Sequence, residues 1–253
     1  MFDKGHMLQF TALAGATSLL IGWLVTYRLF RLARKTRAAP ERLLAIAFGG
    51  LFCIGYPLAA ASRAPGLGET HEGSLIFAIA MLGIVTGLAA LSRFPYVVFR
   101  PDASWARSLS LSIAFFGIIS GVGSVVAITT AATRAETVSA MQPWAIALLT
   151  SIGIPMLWNA IESTLYHRRM KKRLAIGLAD AATTHRFALW AIAAWSACAQ
   201  ISVIFVIRGS GLPILAPLPM SIIAVSSLVG SLCWWLAFFM PNAYRLRLER
   251  DSP

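Results

Sequence analysis

Seven continuous apolar stretches of roughly twenty residues, with Lys and Arg gathered on every second connecting segment, constrain this chain more than any other feature. A run of that length crosses the ~30 Å hydrocarbon core of a bilayer as a helix. Backbone groups in lipid have no water to bond, so spanning segments are helices or closed barrels. Barrel strands alternate apolar and polar residues over about ten positions, and these runs do not alternate. Composition agrees: 58% of the 253 residues are hydrophobic and only 13% are charged, too little charge to cover a water-facing surface.

The expected spans are Leu8 to Phe30, Leu43 to Ala61, Leu75 to Phe99, Ser108 to Thr130, Pro143 to Leu165, Phe187 to Ile207 and Met220 to Met240. The longest connection, Tyr166 to Arg186, has 21 residues and holds no soluble domain. The expected fold class is therefore all-α, a polytopic membrane protein read as a single seven-helix domain over residues 1–253.

Charge orients it. Of 22 Lys and Arg residues, 18 lie at or beyond the inner ends of spans one, three, five and seven; Lys4, Arg63, Arg134 and Arg208 are on the other side. Positive loops stay cytoplasmic, which places the N-terminus outside and the C-terminus in the cytoplasm. Tyr27, Tyr96, Tyr166 and Tyr244 sit at the inner ends of the same spans, as an interfacial aromatic belt. The start, Met1 to His6, carries one Lys and one Asp and is followed by a dense basic stop, so span one reads as an uncleaved anchor and not a signal peptide.

The net charge of +12 reads as orientation signal and contact with the anionic inner leaflet, where each cation contributes about 1 kcal/mol, and not as nucleic-acid binding. One segment stands out, from Tyr166 to Leu178, with Arg168, Arg169, Lys171, Lys172 and Arg173. It contains good helix formers and extends span five as a docking or lipid-binding segment, for anionic headgroups or for a cytoplasmic protein partner. Met170, Leu174 and Leu178 recur every four residues as an expected apolar face, and Asp180 or Thr183 is placed to cap span six.

Glu162 is the only acid inside an expected span, and an intramembrane ionisable group is a functional hypothesis by default. With Asn159 and Tyr166 three and four residues away, and Gln200 in mid-span six, it forms the candidate intramembrane polar site. Proton carrier, ligand group and ion-pair partner of Arg169 or Arg93 are its three readings; Gln200 reads first as interhelical glue. Gly117 and Gly121, followed by Gly123 and Ser124, form a small-residue face for close helix packing within the bundle or in a homo-oligomer. Ser226, Ser227 and Ser231 read as helix contacts, and Pro57 and Pro155 as breaks inside spans.

Other chemistries lack their residues. No buried Lys in the last span exists for a retinal Schiff base, since the lysines are Lys4, Lys35, Lys171 and Lys172. His6, His71, His167 and His185 fall at termini or loops and do not pair across a span as haem ligands. Cys53, Cys198 and Cys233 lie within spans, away from loops and histidines, against a disulfide framework or a zinc site. No G-x-S-x-G elbow or phosphate-binding loop occurs. The expectation is a protein with no catalytic, cofactor or metal residues.

The stretches Val98 to Arg107 and Tyr166 to Asp180, then Arg186 to Trp190, resemble segments of a family of bacterial seven-helix integral membrane proteins. The resemblance covers those 30 of the 253 residues. It implies a multi-pass protein of the bacterial inner membrane and transfers no activity or ligand residue. The sequence leaves two functions in view. One is a non-catalytic sensory or signalling module working through a cytoplasmic partner. The alternative is a small-solute or ion transporter with a 3+1+3 helix layout, echoed in the Tyr–Arg ends of spans one and five and the Pro–Tyr–Arg ends of spans three and seven.

Overall fold

Long helices account for nearly all of the computed structural model, which describes residues 4–67, 70–131, 134–210 and 216–250, the side chains of residues 4, 134, 135 and 249 excepted. Met1 to Asp3, and the side chains of Lys4 and Arg134 used for orientation, thus lie outside the described set. In chain order the helices are α1 (Lys4–Thr36), α2 (Ala39–Ala61), α3 (His71–Phe99), α4 (Ser104–Thr130), α5 (Arg134–Leu174), α6 (Ala181–Ser210), α7 (Pro217–Phe239) and α8 (Asn242–Arg250). There is no strand among the described residues. The first seven are long and apolar enough to cross a membrane. The chain is an all-α, multi-pass integral membrane protein.

The distribution of side chains is that of a lipid-solvated bundle. On α4 the exposed residues Leu111, Phe115, Ile118, Val122 and Val126 recur every three or four positions, while Ser110, Gly117, Ser120, Gly121 and Ser124 are buried. On α7 Leu218, Ile222, Val225, Val229 and Leu232 form the same kind of exposed stripe over buried Ala224, Gly230 and Ser231. Water would reverse this arrangement, because such contiguous apolar stripes drive association. In lipid the large residues meet acyl chains, and small residues let helix backbones approach.

Helix ends follow local signals. Thr70 Oγ1 accepts the Gly73 N–H at 3.1 Å at the start of α3, Pro217 stands in the first turn of α7, and Arg34 with Lys35 close α1 against its macrodipole. Several helices outrun their apolar windows. Span five was expected over Pro143 to Leu165, yet α5 runs 41 residues, about 60 Å at 1.5 Å per residue, through both Pro143 and Pro155. Hydropathy marks only the part in lipid and is blind to a helix that continues into water. The four histidines correct an expectation: they lie on α1, α3, α5 and α6, near helix ends, and not in loops.

Packing divides the chain into two compact units, Gly22–Pro155 and Met1–Ile21 with Met156–Pro253. In the first, α2 leaves α geometry for a π-helical segment over Gly49–Gly55. It meets α3 at glycines: a Cβ on Gly50 would stand 2.8 Å from the Gly87 nitrogen and 2.9 Å from its Cα. The α3–α4 contact uses the small-residue face expected on α4, with Leu88 over Gly117 and Val85 over Gly121, while the Trp144 indole covers Gly123. These glycines pack within the chain.

In the second unit α6 and α7 enclose Leu189, Ala193, Cys233 and Ala237. Trp190 stacks edge-on to Trp234 at 5.1 Å, and Phe238 lies 5.7 Å from Trp190. Ser18 of α1 bonds α7 twice, with Ser227 Oγ at 2.6 Å and Ser231 Oγ at 2.8 Å. Ser227 and Ser231 are helix contacts, as expected. The Tyr244 hydroxyl of α8 lies 2.6 Å from His185 Nε2 of α6 and ties the last helix to the bundle. All three cysteines are free: Cys53 exposed, Cys198 half-buried, Cys233 buried.

Candidate functional site

At 100° per residue, Asn159, Glu162, Ser163 and Tyr166 fall within about 100° of the circumference of α5. The opposite side, Leu157, Ile161 and Leu165, is exposed as a lipid-facing stripe. Burial matches: Asn159 and Glu162 are each 6% exposed and Ser163 1%. A carboxyl, an amide and a hydroxyl thus share the inward arc of a membrane helix, where polar groups are costly unless they serve structure or function. The Ser163 hydroxyl has no hydrogen-bond partner among the described residues, whereas Thr164 next to it donates to the Ala160 carbonyl at 2.7 Å.

Helix α6 is fastened along the last turns of α5 by three contacts. Trp195 Nε1 donates to Thr164 Oγ1 at 3.2 Å. The Tyr166 and Phe187 rings are 4.4 Å apart. His167 Nδ1 lies 3.0 Å from the Thr184 carbonyl. Gln200 lies five residues beyond Trp195 on α6. Gln200 is half-buried there. Arg169 and Arg93, the two cations considered for Glu162, are both exposed.

Beyond the apolar section α5 continues without interruption through Arg168, Arg169, Lys171, Lys172 and Arg173, all exposed. Lys171, Lys172 and Arg173 lie in its last turn, where cations complement the carbonyl end of the helix. The helix then closes with a Schellman motif. Gly177 adopts φ +71°, its N–H donates to Leu174 O at 3.0 Å, and the Leu178 N–H donates to Arg173 O at 2.8 Å. The expected Met170–Leu174–Leu178 face is therefore cut short: Leu178 belongs to the turn, because Gly177 takes the left-handed conformation that ends the helix. Asp180 Oδ1 then accepts the Thr183 N–H at 2.7 Å as the cap of α6. The Thr183 hydrogen bonds hold the Asp180 carboxyl below the usual carboxylate range.

Sequence reasoning missed three parts of this arrangement. The Ser18 partner of Ser227 and Ser231 comes from the far end of the chain, with no local signal. Ser163 was hidden among many membrane serines that bond their own helix. The Tyr244–His185 contact joins residues 59 apart. Among the described residues no three His, Cys, Asp or Glu side chains converge as a metal site would require. No protein-family model, no curated protein and no solved structure matches the chain.

Proposed function

We propose that this integral membrane protein is a non-catalytic sensory or signalling module whose output passes along α5 to a cytoplasmic protein partner. The observation that carries the reading is the continuity of α5 from buried Asn159 and Glu162 to exposed Arg168, Arg169, Lys171, Lys172 and Arg173. Glu162 and Arg173 are eleven residues apart, about 16 Å along one helix. A short, unbroken helix transmits a rotation or shift of its buried end to its basic end with little loss. The positive-inside rule puts the basic end in the cytoplasm, and the motif resemblance favours a bacterial inner membrane.

A second reading, small-solute or ion transport, draws on the π segment of α2, on Pro155, and on the polar residues Glu162 of α5 and Gln200 of α6. Transporters use broken helices to aim backbone carbonyls at ions. In α2 the Phe52 carbonyl of that segment already accepts the Trp23 indole N–H, which argues against such use at this break.

Hydrogen exchange on the full chain in lipid nanodiscs tests the signalling reading. With Glu162→Gln, amides of residues 166–186 should change exchange rate at least 3-fold while α8 and α3 stay unchanged. Uniformly faster exchange, the mark of plain destabilisation, overturns the reading. So does pH-dependent solute uptake by vesicles that is abolished in Glu162→Gln, which would establish transport in its place.

A further inference from the structure

The turn that joins α5 to α6 carries two large aliphatic side chains that the fold does not use. Ile176 is 69% exposed and Leu178 is 72% exposed, on either side of Gly177. In a Schellman motif the residue after the glycine commonly folds its apolar side chain back onto the last helical turn. Leu178 occupies that position and is exposed instead. The stretch of α5 that leads to the pair carries the exposed cations Arg168, Arg169, Lys171, Lys172 and Arg173. The only acid from residue 166 to residue 186 is Asp180, whose carboxylate is committed to capping α6.

The protein's own bilayer is not at hand to cover these side chains. Leu165 is the last residue of the lipid-facing stripe on α5, and the helix runs nine residues farther to Leu174, about 14 Å along the axis, before the turn that carries Ile176. A headgroup layer is only roughly 6 Å thick per leaflet, and an ordinary helix tilt of about 20° shortens the projection by about 1 Å. That length carries the tip past the headgroups, as an aliphatic end beyond a basic stretch of helix.

We propose that this tip is a docking surface for a protein partner presenting an apolar pocket rimmed by acidic side chains. Ile176 and Leu178 fill the pocket, and the five cations steer and align the encounter. The inference deepens the signalling reading and rests on it: the tip is the output end of α5.

The test uses the full chain in neutral-lipid nanodiscs and two soluble peptides of equal negative charge, one built of Glu and Leu and one of Glu and Gly. The Glu–Leu peptide should bind at least 10-fold more tightly. Ile176→Ser with Leu178→Ser should bring the two peptides within 2-fold of each other. Lys171→Gln, Lys172→Gln and Arg173→Gln together should weaken both, most at low salt. A preference that survives the two serines overturns the proposal. So does a nitroxide replacing Leu178 that reports contact with lipid in anionic nanodiscs, because the tip would then dock on the bilayer. A Glu–Leu preference that is the same in Glu162→Gln as in the native chain keeps the docking surface and removes the coupling to Glu162, so the two ideas fail separately.

Discussion

The indole nitrogen of Trp23 donates a 2.6 Å hydrogen bond to the carbonyl of Phe52. The bond answers a deficit created elsewhere on α2. In the π-helical segment each N–H reaches back five residues, as Tyr56 does to the Leu51 carbonyl. Pro57 is next in that register and has no N–H, so the Phe52 carbonyl has lost its donor in a medium without water. Trp23→Phe should therefore cost about 1 kcal/mol, the scale of a membrane interhelical hydrogen bond. In a Pro57→Ala background, where residue 57 regains its N–H, the cost should drop by more than half. Unfolding titrations in detergent micelles over the four proteins give the coupling; equal costs in both backgrounds would separate Trp23 from the proline.

Glycine placement gives a sharper contrast. A methyl group on Gly50 would meet the Gly87 backbone, which has no rotamer to turn away, whereas one on Gly15 meets nothing within 4 Å. Gly50→Ala should destabilise by about 1–3 kcal/mol, the range for overpacked sites. Gly15→Ala should be neutral or mildly stabilising, since alanine is the better helix former. Thermal unfolding of the two variants beside the native chain reads the difference directly.

The same contrast shows what was legible in the sequence. Spans, their number and the small-residue face of α4 are written in local composition, because lipid imposes length and apolarity on every crossing helix. Asp180 as a cap was legible too, since capping needs only neighbours in sequence. Gly50 against Gly87, Ser18 against Ser231, and Tyr244 against His185 were not, because they depend on which helices become neighbours and at what register. The candidate site divides likewise. Asn159, Glu162 and Tyr166 share an arc by periodicity alone, but where Gln200 of α6 stands relative to them depends on helix packing that periodicity does not carry. Leu178 looked like the end of an apolar helical face until Gly177 placed it in a turn.

The hydroxyl cluster of Ser18, Ser227 and Ser231 holds α1 to α7. Ser18 Oγ also lies 2.9 Å from its own Ala14 carbonyl, so with its proton directed there it accepts from both partners. Ser18→Ala removes the acceptor for two hydroxyls, and the loss should approach twice the ~0.6 kcal/mol average of a single membrane hydrogen bond. Ser227→Ala should cost about half as much as Ser18→Ala. Ser226→Ala, outside the cluster, should change stability by less than either. Comparable losses at Ser18 and Ser226 would mean that the cluster carries no particular share of the α1–α7 contact.

Asp180 sets the acid response of the α6 terminus. Its folded-state carboxyl titrates below the ordinary value because the Thr183 hydroxyl and N–H bond the charged form. A depressed carboxylate contributes stability that is fully present above the unfolded-state pKa of about 3.9 and is lost as pH falls through the lower folded-state value. At neutral pH Asp180→Ala should raise the opening of the first turn of α6 by about 1 kcal/mol, the usual worth of an N-cap, or roughly 5-fold in amide exchange at Thr183. The difference from the native chain should stay constant from pH 7 to about pH 5 and shrink below about pH 4. Asp180→Asn keeps an oxygen acceptor without the titration, so it should retain most of the protection at neutral pH and show no such acid loss. Exchange at Thr183 followed across pH in all three proteins decides it: a native–alanine gap that persists at acid pH would show that the carboxylate charge is not what holds this turn.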